Sequence, residues 1–391
     1  MRHPLSFLRV AAVLVLGVAV AGCSYFDWMN PFANPKPKMA PLPDASNGLA
    51  QGSLVWKVEV GETAPGFIFY PALVGDAVYA AGSEGKLVKI ENGQVTWKID
   101  TGKTLSAGVG SDGRIVVVAT SEGEVLAYSA YDGSALWQAK VSSEVLAPPL
   151  VSAGVVAIKS VDNRIVAFDE QGAQKWLFQR PTPPLALRGA SPMLSPDPQF
   201  ILTGFPGGRL IAISMENGAP VWEGVVAQPR GVTELDRISD VLAPPVFNQT
   251  TGCAVAYQGK VACFDFSHNG DTVWSRPVSS SAGLGVDNRQ VYVTDEQSAV
   301  IAYSGSSGAN VWKNEQLLRR SLTAPQPVPG LPLIALGDAE GYLHFLSRDD
   351  GAYAGRFSAD GTPIQGTLTP AGDHRLLLQS RGGKVMEVEV K

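Results

Sequence analysis

The chain has 391 residues, 45% of them hydrophobic and 17% charged, with a formal net charge of −5 at neutral pH. An acidic balance of this size argues against a nucleic-acid partner and against electrostatic attachment to anionic lipid. Beyond the first fifty residues the chain is rich in Gly and Pro and shows no sustained 3.6-residue period, which excludes a helical solenoid, and it is too long for one simple sandwich.

Residues 1–22 form a secretory signal. Arg2 and Arg9 supply the positive flank of an apolar run over residues 10–20, which at 11 residues falls short of the ~20 that span a bilayer. The phrase Val20-Ala21-Gly22-Cys23 resembles a lipobox, the site where a lipoprotein signal is cut and the cysteine is lipidated. Cys23 is therefore the expected lipidation site, palmitate included. Ser24 follows it where inner-membrane lipoproteins often carry Asp, so the resemblance implies sorting to the outer membrane. Loss of Arg2 and Arg9 with the signal takes the net charge from −5 to −7, leaving covalent lipid as the main anchor.

Residues 23–52 hold Pro31, Pro35, Pro37, Pro41 and Pro43 and read as an extended tether with an upper reach on the order of 100 Å. Residues 53–391 are then one repeat domain. Trp56, Trp97, Trp137, Trp176, Trp222, Trp274 and Trp312 recur at intervals of 41, 40, 39, 46, 52 and 38 residues. Several follow a tight-turn phrase, as in Asn92-Gly93, Asp132-Gly133 and Asn217-Gly218, and Asp350-Gly351 repeats it once more with Gly355 where Trp is due. Short alternating strands fill the intervals, four per repeat, which is one blade of a β-propeller.

The ends set the blade count. The stretch after Gly355 supplies only three strands, and a spare strand at Leu54-Val55-Trp56-Lys57-Val58 supplies the fourth. The predicted fold is all-β: an eight-bladed β-propeller with four antiparallel strands per blade, closed by pairing the N-terminal strand with the C-terminal blade. Seven blades is the alternative count.

Spacing within the repeat locates a binding surface. From the Pro opening a blade to its Trp the distance stays at 28–30 residues, whereas from Trp to the next Pro it grows from 11 (Trp137 to Pro148) to 16 (Trp176 to Pro192) and 22 (Trp222 to Pro244). The additions lie in connections between blades, which share one face, so the two lengthened ones form a composite patch. The first presents Leu185, Leu187 and Arg188; the second presents Asp236, Arg237 and Asp240. Apolar anchors rimmed by charge suit a protein partner.

Other chemistry is weak. Residues 108–113 match a dinucleotide fingerprint but precede a strand, with no helix N-terminus to hold a phosphate. The four histidines are scattered and no metal-ligand spacing emerges. Propellers of this repeat can house pyrroloquinoline quinone, yet no adjacent cysteine pair or blade insertion offers to hold it, so no cofactor and no enzyme activity are expected. Cys253 and Cys263 flank the turn Tyr257-Gln258-Gly259. A three-residue loop would set them opposite each other and other lengths would offset them; two buried free thiols are the preferred reading and a disulfide the alternative.

Taken together, the lipobox, the Pro-rich tether, the eight blades and the phrases Leu185-x-Leu187-Arg188-Gly189 and Asp236-Arg237-x-x-Asp240 resemble the BamB family over essentially the whole chain. The resemblance implies a non-enzymatic lipoprotein of the outer membrane, facing the periplasm, in the machinery that folds β-barrel proteins. It implies that Leu185, Leu187, Arg188 and Asp240 contact periplasmic domains of the barrel subunit, BamA. Unfolded barrel clients are a further partner that the resemblance leaves open. Where the family often carries an acid two positions after the second Asp, this chain has Leu242, which weakens the charged contact or shifts it to Asp236.

Overall fold

The computed structural model describes residues 38–45 and 48–391. The signal segment, Cys23 and most of the predicted tether lie outside the described residues. The chain divides into two units, Met1–Met39 and Ala40–Lys391, and the second is the propeller.

Its strands form eight four-stranded antiparallel sheets, the predicted blades. Blades 1 to 7 each use consecutive strands and span residues 72–100, 110–140, 150–179, 194–225, 246–277, 283–314 and 326–358. Blade 8 takes three strands from 369–390, and its outer strand is Gly52–Glu59, paired antiparallel with Lys384–Val390. The ends of the chain thus close the ring, as the strand count predicts.

Packing explains why Trp and the Gly turn recur together. In every blade the pairing of the third strand with the outer strand slips by one residue just before the Trp position. Such a bulge kinks the strand and re-aims the next side chain. The indole lands on the next blade: an added Cβ at Gly218, in the blade 4 turn, would stand 2.6 Å from Trp176 of blade 3. The indole N–H then donates to a backbone carbonyl there, Trp97 to Ala130 at 3.2 Å, Trp137 to Glu170 at 2.9 Å and Trp176 to Met215 at 3.0 Å. Turn and Trp therefore match across a blade boundary, beyond the hairpin role each plays within its own blade.

The core is likewise divided by boundary. Each apolar cluster joins two neighbouring blades, such as Val117 and Ile158 from blades 2 and 3, or Leu343 and Leu378 from blades 7 and 8. Between blades 8 and 1, Val385 packs with Val78 and Val88. Burial of these two-blade layers drives closure, because an open ring would split one of them and leave both its faces in water.

One prediction is corrected. Cys253 and Cys263 form a disulfide in blade 5. The turn has three residues, with Ala256 N–H donating to Lys260 at 3.0 Å, and this sets the two cysteines directly opposite each other. Their Cα atoms are 4.1 Å apart, within bonding reach, so the preferred reading of free thiols does not hold.

Candidate protein-binding face

Every connection from an outer strand to the next blade emerges on the same face, together with the turns between second and third strands. We call this the upper face. The inner strands of all eight blades surround an axial channel of about 770 Å³, its lining rich in proline (Pro149, Pro196, Pro245 and Pro327 among them) and including Tyr70 and Phe247. Its upper mouth is a separate hollow of about 230 Å³, lined by Ile68, Leu146, Leu242, Leu322 and Ile364. No group of three His, Cys, Asp or Glu side chains is placed to hold a metal among the described residues.

The two lengthened connections are neighbours here, and Asp240 joins them. Its carboxylate accepts the backbone N–H of Leu187 at 2.7 Å and that of Gly207 at 3.1 Å. Asp240 is only 1% exposed, so its acceptors are spent inside the fold and it does not sit on the surface expected for a contact residue. It fixes the backbone on which Leu187 stands. Leu185 is 40% exposed and Leu187 half-buried.

Arg188 leaves this loop toward the channel mouth. Its Nη2 lies 2.5 Å from Glu144 and its Nε donates to the same carboxylate at 3.2 Å, while Nη1 donates to the Gly66 carbonyl at 3.2 Å. The guanidinium also stands 5.9 Å from the Phe67 ring centre. Glu144 lies on the connection from blade 2 to blade 3, and Gly66 on that from blade 8 to blade 1. One side chain thus ties three connections together, and its planar fork is held in one orientation before any partner arrives.

The second connection forms a compact turn. The Asp236 carboxylate accepts from Thr233 N–H at 3.1 Å, and Asp236 N–H donates back to Thr233 Oγ1 at 3.2 Å. Hydrogen bonding from the Thr233 side chain, and then from its N–H, holds the Asp236 carboxyl below the usual carboxylate range. Arg237 is engaged with the Gly231 carbonyl at 3.2 Å and Glu234 at 3.1 Å. Both charges are therefore partly satisfied within the turn. The turn also exposes apolar side chains: Val232 is 90% exposed and Leu235 67%.

Sequence reading did not single out Val232, Leu235 or Glu144 as site residues. The two apolar residues could have been noticed as aliphatics in a polar loop. Glu144 carries no such signal, because its tie to Arg188 spans 44 residues. Leu242 lies inward, against Gly189 at the channel mouth, where it adds apolar wall.

Comparison with known proteins places this geometry. The family model described as outer membrane protein assembly factor BamB matches residues 90–314. A protein of that name from Bordetella pertussis is 40% identical over 95% of this chain and 96% of its own length. The crystal structure of BamB from Moraxella catarrhalis superposes with a TM-score of 0.80 at 27% identity, covering 87% of this chain and all of that one. A quinohemoprotein alcohol dehydrogenase from Comamonas testosteroni reaches a TM-score of 0.67 at 14% identity over 86% of this chain and 76% of its own, a likeness of fold alone. The chain's near relatives are thus assembly factors and not enzymes, and the chain belongs to the BamB family of outer membrane protein assembly factors.

Proposed function

We propose that the protein is a lipid-anchored scaffold of the outer-membrane β-barrel assembly machinery, held through Cys23 and facing the periplasm. It binds periplasmic domains of a BamA-like barrel subunit through the joined connections on its upper face. Leu185 and Leu187 are the apolar anchors and Arg188 the fixed cation, with Asp236 and Arg237 at the rim and Asp240 holding the two loops in register. The observation that carries this reading is the Asp240 bond to Leu187, which joins the two insertions into one preformed surface; preorganisation of this kind reduces the ordering cost of association.

Capture of barrel-assembly subunits from detergent-solubilised envelopes tests it, with wild type compared with a Leu185→Glu/Arg188→Glu double variant. Wild type is expected to recover the barrel subunit and the equally folded variant to lose it by at least tenfold. Equal recovery by both would move the site elsewhere, and recovery by neither would remove the partner. Cys23→Ser is expected to release the protein from the outer-membrane fraction without changing its fold.

A further inference from the structure

Blade 7 breaks the repeat, with Gly355 where the other seven outer strands carry Trp. The chain's own N-terminal segment lies there instead. Ala50 N–H donates to the Ala354 carbonyl at 3.0 Å, and the Ala50 carbonyl lies so close to Gly355 that an added Cβ would run into it. Gly48 lies over the same peptide, where an added Cβ would meet the Ala354 carbonyl at 2.9 Å. Gln51 and Lys391 exchange both backbone hydrogen bonds at 2.9 Å, which leads into the outer strand of blade 8.

A second set of contacts holds the upstream end. The Pro43 carbonyl accepts from Arg356 at 2.6 Å. Ala40 N–H donates to Leu318 at 2.9 Å, and the Ala40 carbonyl accepts from Arg320 Nη1 at 2.9 Å. Arg320 is 2% exposed and is fixed by Asp338 at 2.7 Å and by Glu340, while Asp338 also binds the buried His344 at 2.8 Å. Undocking Ala40 would take a backbone partner from a buried cation, which is costly. Leu318 and Arg320 belong to the connection from blade 6 to blade 7, so Ala40 sits at the upper face, which also carries the two lengthened connections.

We propose that residues 40–43 and 48–51 form a strap that takes the place of the blade 7 tryptophan and sets the face from which the membrane tether departs. The upper face, with its partner patch, is then the face turned toward the bilayer. This orientation rests on lipidation at Cys23; the strap itself does not. The 17 residues from Cys23 to Met39 have an upper reach of about 55–60 Å at ~3.3 Å per residue.

Hydrogen exchange of the full lipidated chain in detergent tests the strap. The amides of Ala40, Ala50 and Gln51 are expected to exchange at least tenfold more slowly than in Arg356→Ala. Gly355→Ala provides a second release, by a clash with Ala50, should the arginine variant disturb blade 7. Fast exchange of these amides in wild type would overturn the strap. For orientation, fluorophores on Ser281→Cys at the upper face and on Ser306→Cys in a turn on the opposite face are compared on phosphatidylethanolamine/phosphatidylglycerol vesicles containing a headgroup quencher. Several-fold stronger quenching at position 281 supports the orientation, and equal quenching overturns it. A chain with protected amides that fails to bind vesicles refutes the anchor and with it the orientation, while the strap stands.

Discussion

The Asp240 carboxylate and the Leu187 backbone N–H, 53 residues apart in sequence, meet at 2.7 Å beneath the surface that both loops present. Replacing Asp240 with Ala strands the half-buried N–H groups of Leu187 and Gly207. The expected cost is about 1–3 kcal/mol of stability, measured by denaturant unfolding. Capture of the barrel subunit should fall at the same time, although Asp240 does not reach the surface. An Asp240→Asn variant, which keeps an acceptor oxygen, should recover part of both.

Arg188 is expected to behave differently. Its pairing with Glu144 is a partly exposed ion pair, and such pairs contribute roughly 0–1 kcal/mol. Arg188→Ala should therefore leave the unfolding midpoint almost unchanged while it lowers partner capture severalfold. A large loss of stability would assign Arg188 a structural role across the channel mouth in place of recognition.

Val232 and Leu235 are exposed aliphatics beside the proposed patch. Val232→Ser/Leu235→Ser should not destabilise the fold, since neither side chain is buried. If the patch extends onto this turn, the double variant lowers capture as Leu185→Glu does. Unchanged capture would confine the contact to the first loop.

Lys159 lies buried between blades 3 and 4, donating to Thr203 Oγ1 at 2.9 Å and to the Gly204 carbonyl, with its ammonium 4.2 Å from the Phe205 ring centre. Burial pushes its pKa down to about 7. In the unfolded chain it returns to about 10.4. Between these values the unfolded state binds more protons, so this residue makes stability rise with pH, by at most ~1.4 kcal/mol per unit. Unfolding at pH 7 and pH 9 should show a rise on the order of 2 kcal/mol that Lys159→Met abolishes.

The blade 5 disulfide closes a short loop, with a sequence separation of 10. Cys253→Ala/Cys263→Ala is expected to lose about 2–3 kcal/mol. Both sulfurs are buried, so reductant should release titratable thiols only under conditions that unfold the blade. Rapid reduction of the native protein would contradict the packing.

Much of the fold was legible in the sequence because its determinants are local. A Gly turn, a Trp a few residues on and alternating strands are all written within about 40 residues, and the count of strands at the two ends implies the closed ring. Lengthened connections are visible as spacing, and shared-face geometry makes them neighbours. What these signals could not show is which distant groups the ring brings into contact. The disulfide turned on a loop being three residues long. Asp240 reads as a surface acid in sequence, but its buried carboxylate meets two backbone N–H groups from distant loops. Gly355 looked like a lapse in the repeat until Ala50 occupied the space of the missing indole. The sequence by itself determined the blades, their number and the face that carries the insertions, since turn chemistry and strand period act over neighbouring residues. Only the tertiary structure decided which polar groups are spent inside the fold and which remain for a partner, because that division depends on contacts made across blades when the ring closes.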